Sequence, residues 1–315
     1  MKKLFLSAIA AMFFIACMAQ NGASLKLNPE KNKVYNFHLK SDQAITQTVN
    51  GNQQNVESKT DYAVSFKMVD KTADFIVAEI TFDTLITNTN TMGRQVNISS
   101  AVEGDIKSSE TTDILSCIMN RLSKNTLYVK IDYSGKPLEI LNLKMVSGMI
   151  TQDTSDITLE EPMAGAVKNQ ISNIVSDNTL KTMIEAFTYC LPNREVSNGD
   201  KWDITQKTNS GGMMLNIKTT YDLNAINGND ADVTAESTIK ADENAAPLKQ
   251  GGATITYDDL SGLGKSDMVI DMTTGLVTES RTKTHITGNL GVSAPGVSMQ
   301  IPMDINSESV VTRDK

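Results

Sequence analysis

Two histidines, His38 and His285, and three cysteines, Cys17, Cys117 and Cys190, are the residues from which a metal site, a nucleophile pair or a disulfide could be built. His38 stands between Phe37 and Leu39, and His285 between Thr284 and Ile286. Neither has a cysteine or a second histidine nearby in sequence, so each reads as a histidine on the wet face of a strand rather than a ligand or base. Cys117 and Cys190 fall in stretches with helical spacing. Two readings stand for them: a disulfide formed in an oxidising compartment, or two buried thiols packed as small hydrophobes. There is no Gly-x-Ser-x-Gly elbow, and no Ser-x-x-Lys pair in a setting that would activate a nucleophile. The expectation is a protein that is not an enzyme and uses no cofactor or metal.

Three further stretches invite a chemical reading. "GLGKS" at 262–266 has the ending of a phosphate-binding loop, but that pattern needs a glycine where Asp259 stands, and a carboxylate there repels phosphate. Asp258, Asp259, Asp200 and the "NGND" at 227–230 offer oxygen ligands for calcium without the spacing of a calcium loop, and acidic turns account for them. "LPNREVSNGDKWD" at 191–203 holds the only tryptophan. Pro192 stops a helix and Asn198-Gly199 turns the chain, so the stretch reads as a joint at which Trp202 enters a strand as a core anchor.

Methionine occurs 16 times while aromatic residues make up 5% of the chain. Thioethers can line an adaptable apolar pocket or fill gaps in a core short of rings. Met145, Met149, Met163, Met183, Met213, Met214, Met268, Met272, Met299 and Met303 are expected to fall mostly at inward-facing positions. Met183 and Phe187, with Tyr62, Phe66, Met68 and Trp202 from the strands, form the candidate lining of an apolar cavity.

The elements that must position these residues are mostly strands. Tyr62, Val64, Phe66 and Met68 alternate with polar neighbours, as do Ile76, Ala78, Ile80 and Phe82, then Leu215, Ile217, Thr219, Tyr221 and Leu223. Val297, Met299, Ile301, Met303 and Ile305 repeat the pattern, with Pro302 placing that strand on an edge. A period of two with one wet face implies antiparallel sheets. Asn-Gly at 50–51 and 227–228, and the glycines Gly135 and Gly275, mark turns between strands. Helical spacing occupies 113–124, with Thr112 or Asp113 as cap, and about 163–191, where 176–179 divides two apolar stripes into two helices or one kinked helix.

The fold class expected is mainly β (α+β), with curved antiparallel sheets. A first β unit spans 20–160, a helical segment 161–192 and a second β unit 193–315, in one continuous domain. The β units echo each other in order: "NKVYNF" around Tyr35 with "GDKWDI" around Trp202, then the strands opened by Tyr62 and Tyr221, then the turns at Gly135 and Gly275. This is the pattern of a degenerate duplication.

Lys2 and Lys3 precede an apolar run over 4–16, and polar sequence follows, which is the form of an export signal. Two processing readings stand: removal of 1–19 by an ordinary signal peptidase, or removal of 1–16 at the lipobox-like Phe14-Ile15-Ala16-Cys17, leaving Cys17 as a lipid anchor. The formal net charge is −8, and loss of two lysines leaves it more negative. Nucleic acid is therefore not an expected partner, and a membrane is one only through an anchor at Cys17.

The signal, "ILSCIMNRLSKNTLYVKIDYSGKPLEI", "LPNREVSNGDKWDIT" and "YDLNAINGNDADV" together resemble an uncharacterised family of secreted bacterial proteins. The organisation is also similar, in architecture alone, to periplasmic lipoprotein carriers, in which a curved sheet wraps helices around an apolar cavity. The family implies no activity. The functional expectation is an exported protein, periplasmic or outer-membrane-associated, that binds a lipid, lipoprotein or similar hydrophobic molecule in an apolar cradle. The alternative is a structural or partner-binding envelope module with a filled core.

Overall fold

Alternation fixes which strand face is dry, and the turns fix register; together they build one long antiparallel meander. The computed structural model describes residues 23–314 except 50, 211–212, 251–252, 258 and 295. The export signal and Cys17 lie outside the described residues.

In the N-terminal half, β2 (Val34–Val49), β3 (Asn52–Lys71), β4 (Phe75–Thr91), β6 (Thr126–Asp132) and β7 (Pro137–Ile140) pair in succession, and β5 (Arg94–Ser99) pairs with the far part of β4. In the C-terminal half, β9 (Lys201–Ser210), β10 (Met213–Asn227), β11 (Asp230–Ala241), β14 (Ser261–Asp271), β15 (Leu276–Ala294) and β16 (Val297–Arg313) do the same. The short β12 (Leu248–Gln250) and β13 (Ala253–Thr256) attach to β15. β16 then pairs with β2 and fuses the halves into a 14-stranded sheet with β7 and β9 at its two ends. A separate ribbon joins β1 (Ala23–Leu25) to β8 (Arg194–Val196).

Among the described residues, four α-helices connect the halves or pack on them: α1 (Thr111–Ser123), α2 (Leu143–Thr151), α3 (Met163–Ile174) and α4 (Asp177–Thr188). The expected break between α3 and α4 falls where Ser176 caps α4, its hydroxyl accepting from the Thr179 amide. On α1 the cap position is Glu110, which makes no side-chain cap bond, rather than Thr112 or Asp113. The stretch "LKMVSGMIT" inside the first β unit is a helix that its strand-like neighbours conceal. α2 buries only Val146 and Ile150, one turn apart, and its mid-helix Gly148 blurs the period.

Phe187 explains the curvature. Leu180, Ile184 and Phe187 form one buried stripe on α4, and the Phe187 ring packs 4.7 Å from that of Phe37 and 6.5 Å edge-on to that of Phe66. α4 contacts β7, β9 and also β15 in mid-sheet. Laid flat, the eleven-strand path from β7 to β9 would be about 48 Å wide, while a twelve-residue helix is about 18 Å long. One helix can touch both ends only if the sheet curls around it. Lys181 Nζ donates to the Leu138 carbonyl on β7 at 2.9 Å, and Gln206 Nε2 on β9 donates to Glu185 at 3.3 Å, so α4 bridges edges that do not hydrogen-bond to each other.

Two expectations are corrected. Met145, Met149 and Met163 are not inward: all three are exposed on helices, whereas Met213 and Met303 are buried. β16 is not an edge strand, because it pairs on both sides; Met303 opposite Gln47 is the outermost pair with β2, so Pro302 sits just beyond, where only β15 is its neighbour.

Candidate functional site

Of the six residues expected to line a cavity, Phe66, Met68, Phe187 and Trp202 belong to the main core cluster, which runs from Leu25 to Val311, and Tyr62 and Met183 pack against it. Phe66 and Phe187 are completely buried, and Met68 nearly so. Trp202 stacks on Tyr221 with ring centroids 5.4 Å apart, and its Nε1 donates to the Cys190 carbonyl at 3.0 Å. Phe187 borders an open space.

That space is a cleft of about 250 Å³ between α4 and the inner face of β10, β11, β14 and β15. Phe187, Ile217, Tyr221, Met268 and Val277 supply its apolar walls, and Thr219, Ser237, Ser266, Ser280 and Thr282 its hydroxyls. Strand register explains the mixture: Thr219 opposes Ser237, and Ser266 opposes Thr282, at the level where apolar residues stop on each strand. Each pair shares a hydrogen bond of 2.8 Å. The belt continues around the sheet through Thr284 with Ser307, and Ser309 with Ser41 at 2.9 Å. Beyond it a second apolar cluster begins, containing Leu215, Ile239, Ile286, Met303 and Ile305. Thr219 was already visible in sequence as the one polar residue on the dry side of its strand. A hydroxyl recurring at that register in neighbouring strands is the signal that reading strands singly does not combine.

Glu185 and Gln206 separate this cleft from an outer groove of about 510 Å³ in which Lys136, Lys181 and Lys207 stand. Burial pushes the Glu185 carboxyl above the usual glutamate range, against the pull of Lys136, the Gln206 hydrogen bond and Lys181. A raised acid pKa means that the native state holds the proton more tightly than the unfolded chain. The associated stability is complete below the ordinary glutamate range and is lost as pH rises through the folded value. Glu185→Gln keeps a carbonyl acceptor for Gln206 and removes the charge. It is expected to melt above the wild type at neutral pH, with the gain vanishing in acid. Thermal melts across pH check this; a gain that is constant with pH would exclude the buried charge as its cause.

The remaining candidates do not converge on chemistry. His38 is 3.5 Å from Asp314, and His285 3.2 Å from Asp304, both on the outer surface. Cys117 and Cys190 are buried and free, and burial pushes Cys190 up to about 12, far from a reactive thiolate. "GLGKS" lies within β14, a strand rather than a loop, where a Cβ on Gly262 would stand 2.4 Å from the His285 carbonyl oxygen. The "NGND" stretch forms the β10–β11 hairpin turn; Asp258 lies outside the described residues. No cluster of three or more metal-binding side chains occurs among the described residues. A larger depression of about 680 Å³ on the outer face is lined by charges that pair with each other, such as Lys59 with Asp42 and Lys283 with Glu308.

The fold and the cleft define a mainly β protein, one large antiparallel sheet curled around a helix that links its two end strands, with a mixed cleft beside that helix. Residues 73–277 match the family of unknown function DUF6263, and the chain belongs to that family. The match runs from β4 through all four helices to the start of β15. No curated protein matches the sequence. Among solved structures, the COG4313 outer membrane channel from Pseudomonas putida F1 is 8% identical, with 91% of this chain and 97% of that chain covered and a TM-score of 0.26. The translocator domain of autotransporter NalP from Neisseria meningitidis is 8% identical, with 91% of each chain covered and a TM-score of 0.22. Scores this low do not place the chain in either fold.

Proposed function

We propose that this is an exported, non-catalytic envelope protein that holds a hydrophobic molecule against the inner face of its curled sheet. The observation that carries this reading is the bridging of the β7 and β9 edges by α4, which leaves a cleft open alongside an otherwise filled core. The cradle is thus the cleft beside α4 and not the space beneath the helices. At about 250 Å³ the cleft is slightly smaller than the usual range for drug-sized ligands, so it accommodates a small molecule or one segment of a longer one. The basic and apolar N-terminal sequence supports export, to the periplasm or the outer membrane, with Cys17 as the lipid anchor in the lipoprotein reading.

Native mass spectrometry of gently purified protein, followed by organic extraction, tests the reading. The expected result is a co-purifying small molecule at about one per chain, released by solvent. Protein that keeps its bare mass under both treatments would sink it. Intact mass of the membrane fraction reads the anchor in the same preparation: an acyl addition that Cys17→Ser abolishes supports it, and an unmodified chain starting at Gln20 rejects it.

One observation favours a second reading, a structural or partner-binding module. Leu138 and Leu141, Met145 and Met149 are all exposed on β7, on α2 and between them, next to the open β7 edge of the sheet. In that case crosslinking in the envelope captures one reproducible protein through this face, and the cleft stays empty.

A further inference from the structure

Resting on the ligand-binding reading, we infer that the ligand is an amphiphile with an uncharged, hydroxyl-rich head group. Its head sits on the hydroxyl belt in the α4 cleft, and its apolar part lies against Met268 and Ile217.

The belt interrupts a face that is apolar on both sides of it. The main core cluster ends at Tyr221, Val277 and Met268, and the second cluster begins at Ile217, which both lines the cleft and packs on that cluster. A face meant only for packing would carry apolar residues through this level. Thr219 and Ser237, and Ser266 and Thr282, satisfy one another in pairs, and among the described residues no buried side-chain polar atom lacks a partner. Each hydroxyl has one proton to give and two lone pairs to accept with, so a bonded pair still has one donor and spare acceptors to offer. Pure hydrocarbon laid over the belt would strip water from these groups and return no hydrogen bonds, which is unfavourable.

A charged head group fits no better. Neither lysine nor arginine is among the residues lining the cleft, and its one carboxylate, Glu185, stands at the neck. The lysines lie in the outer groove beyond that neck, where Lys181 pairs with Asp177 at 2.7 Å, and Lys207 with Asp242 at 3.0 Å. A carboxylate or phosphate pushed into the cleft would lose its hydration beside Glu185 with no counter-charge. Neutral hydroxyls meet the belt without that penalty. An apolar tail then covers the aromatic and thioether walls.

The test compares three ligands with one eight-carbon chain, octyl glucoside, 1-octanol and octanoate, each below its micelle concentration, titrated by calorimetry into the full mature chain. Octyl glucoside is expected to bind about tenfold or more tightly than octanoate. Removing both partners of each belt pair, with T219V, S237A, S266A and T282V combined, is expected to weaken octyl glucoside about tenfold and 1-octanol, which brings a single hydroxyl, by less, so that the preference for octyl glucoside over 1-octanol is lost. If that combined variant does not fold, each pair removed alone reads the same preference. If octanoate binds as well as or better than octyl glucoside, or if the belt variants keep the preference for octyl glucoside over 1-octanol, the head-group inference is overturned while the cradle reading stands. If none of the three binds, both are overturned.

Discussion

Replacing Phe187 with alanine is expected to lower the stability of the fold by about 3–5 kcal/mol, the cost of deleting a fully buried ring whose cavity the surroundings refill only in part. The ring is completely buried between Phe37 and Phe66, so its removal takes contacts from β2 and β3 as well as from its own helix. The effect reaches beyond the core. α4 joins two sheet edges that have no strand between them, and its polar links, Lys181 to Leu138 and Glu185 to Gln206, are exposed or half-exposed and contribute little alone. A helix that loses its anchor releases both edges, and free strand edges recruit other chains. Phe187→Ala should therefore unfold at lower urea and also aggregate, whereas Met183→Ala on the partly buried side of the same helix should cost roughly half as much. Trp202 is the only tryptophan and stacks at the C-terminal end of α4, so its fluorescence reports the transition directly. A loss below about 1 kcal/mol would mean that Phe187 does not fill the core as described.

How much of this was legible depended on whether the information was local. The alternation of Tyr62 to Met68 and of Leu215 to Leu223 is a property of single strands, and those strands are present with those residues inward. The hairpins at Gly51 and Gly228 follow from Asn-Gly, with both glycines at positive φ. The division between α3 and α4 followed from the run of cap-forming residues that begins at Ser176. What stayed hidden was relational. Nothing in one strand says that β16 closes back onto β2, so Pro302 was read as an edge marker for the whole strand when it marks only the stretch beyond β2. Met145 and Met149 turn outward because they lie on α2, whose buried positions are Val146 and Ile150.

The candidate site divides in the same way. Phe187, Trp202, Tyr62, Phe66, Met68 and Met183 were legible as inward residues, and each belongs to the main core cluster or packs against it. Where open space begins depends on how neighbouring strands align. Thr219 carries no message alone. Opposite Ser237, and beside the Ser266–Thr282 pair, it becomes part of a belt. Glu185 was equally silent, because its place at the neck of the cleft is set by Gln206 on the far edge of the sheet.

Gly135→Ala is expected to destabilise the protein by about 3 kcal/mol or more, whereas Gly51→Ala costs about 1–2 kcal/mol. The two glycines share a backbone conformation, φ of 88° and 80°, so the strain a side chain meets there is the same. Their surroundings differ. A Cβ on Gly51 would find no atom within 4 Å, while a Cβ on Gly135 would stand 1.8 Å from the Thr188 carbonyl oxygen. That oxygen belongs to the last turn of α4 and cannot swing aside as a side chain would. The turn is also tied to the helix from its own side: the Thr188 hydroxyl donates to the Gly135 carbonyl at 2.7 Å, and the Leu191 amide to that of Ser134 at 3.2 Å. Within the turn, Asp132 Oδ1 accepts from the amides of Ser134 and Lys136, which holds it rigid. Alanine at 135 must therefore push the β6–β7 turn off α4, and β7 moves with it. Urea titrations of both variants separate the shared backbone cost from the contact cost. Equal losses would show that the turn does not press on α4. A larger loss in Gly135→Ala, accompanied by weaker binding of any ligand that the cleft takes up, would show that the seat of α4 on this turn holds the cleft in shape.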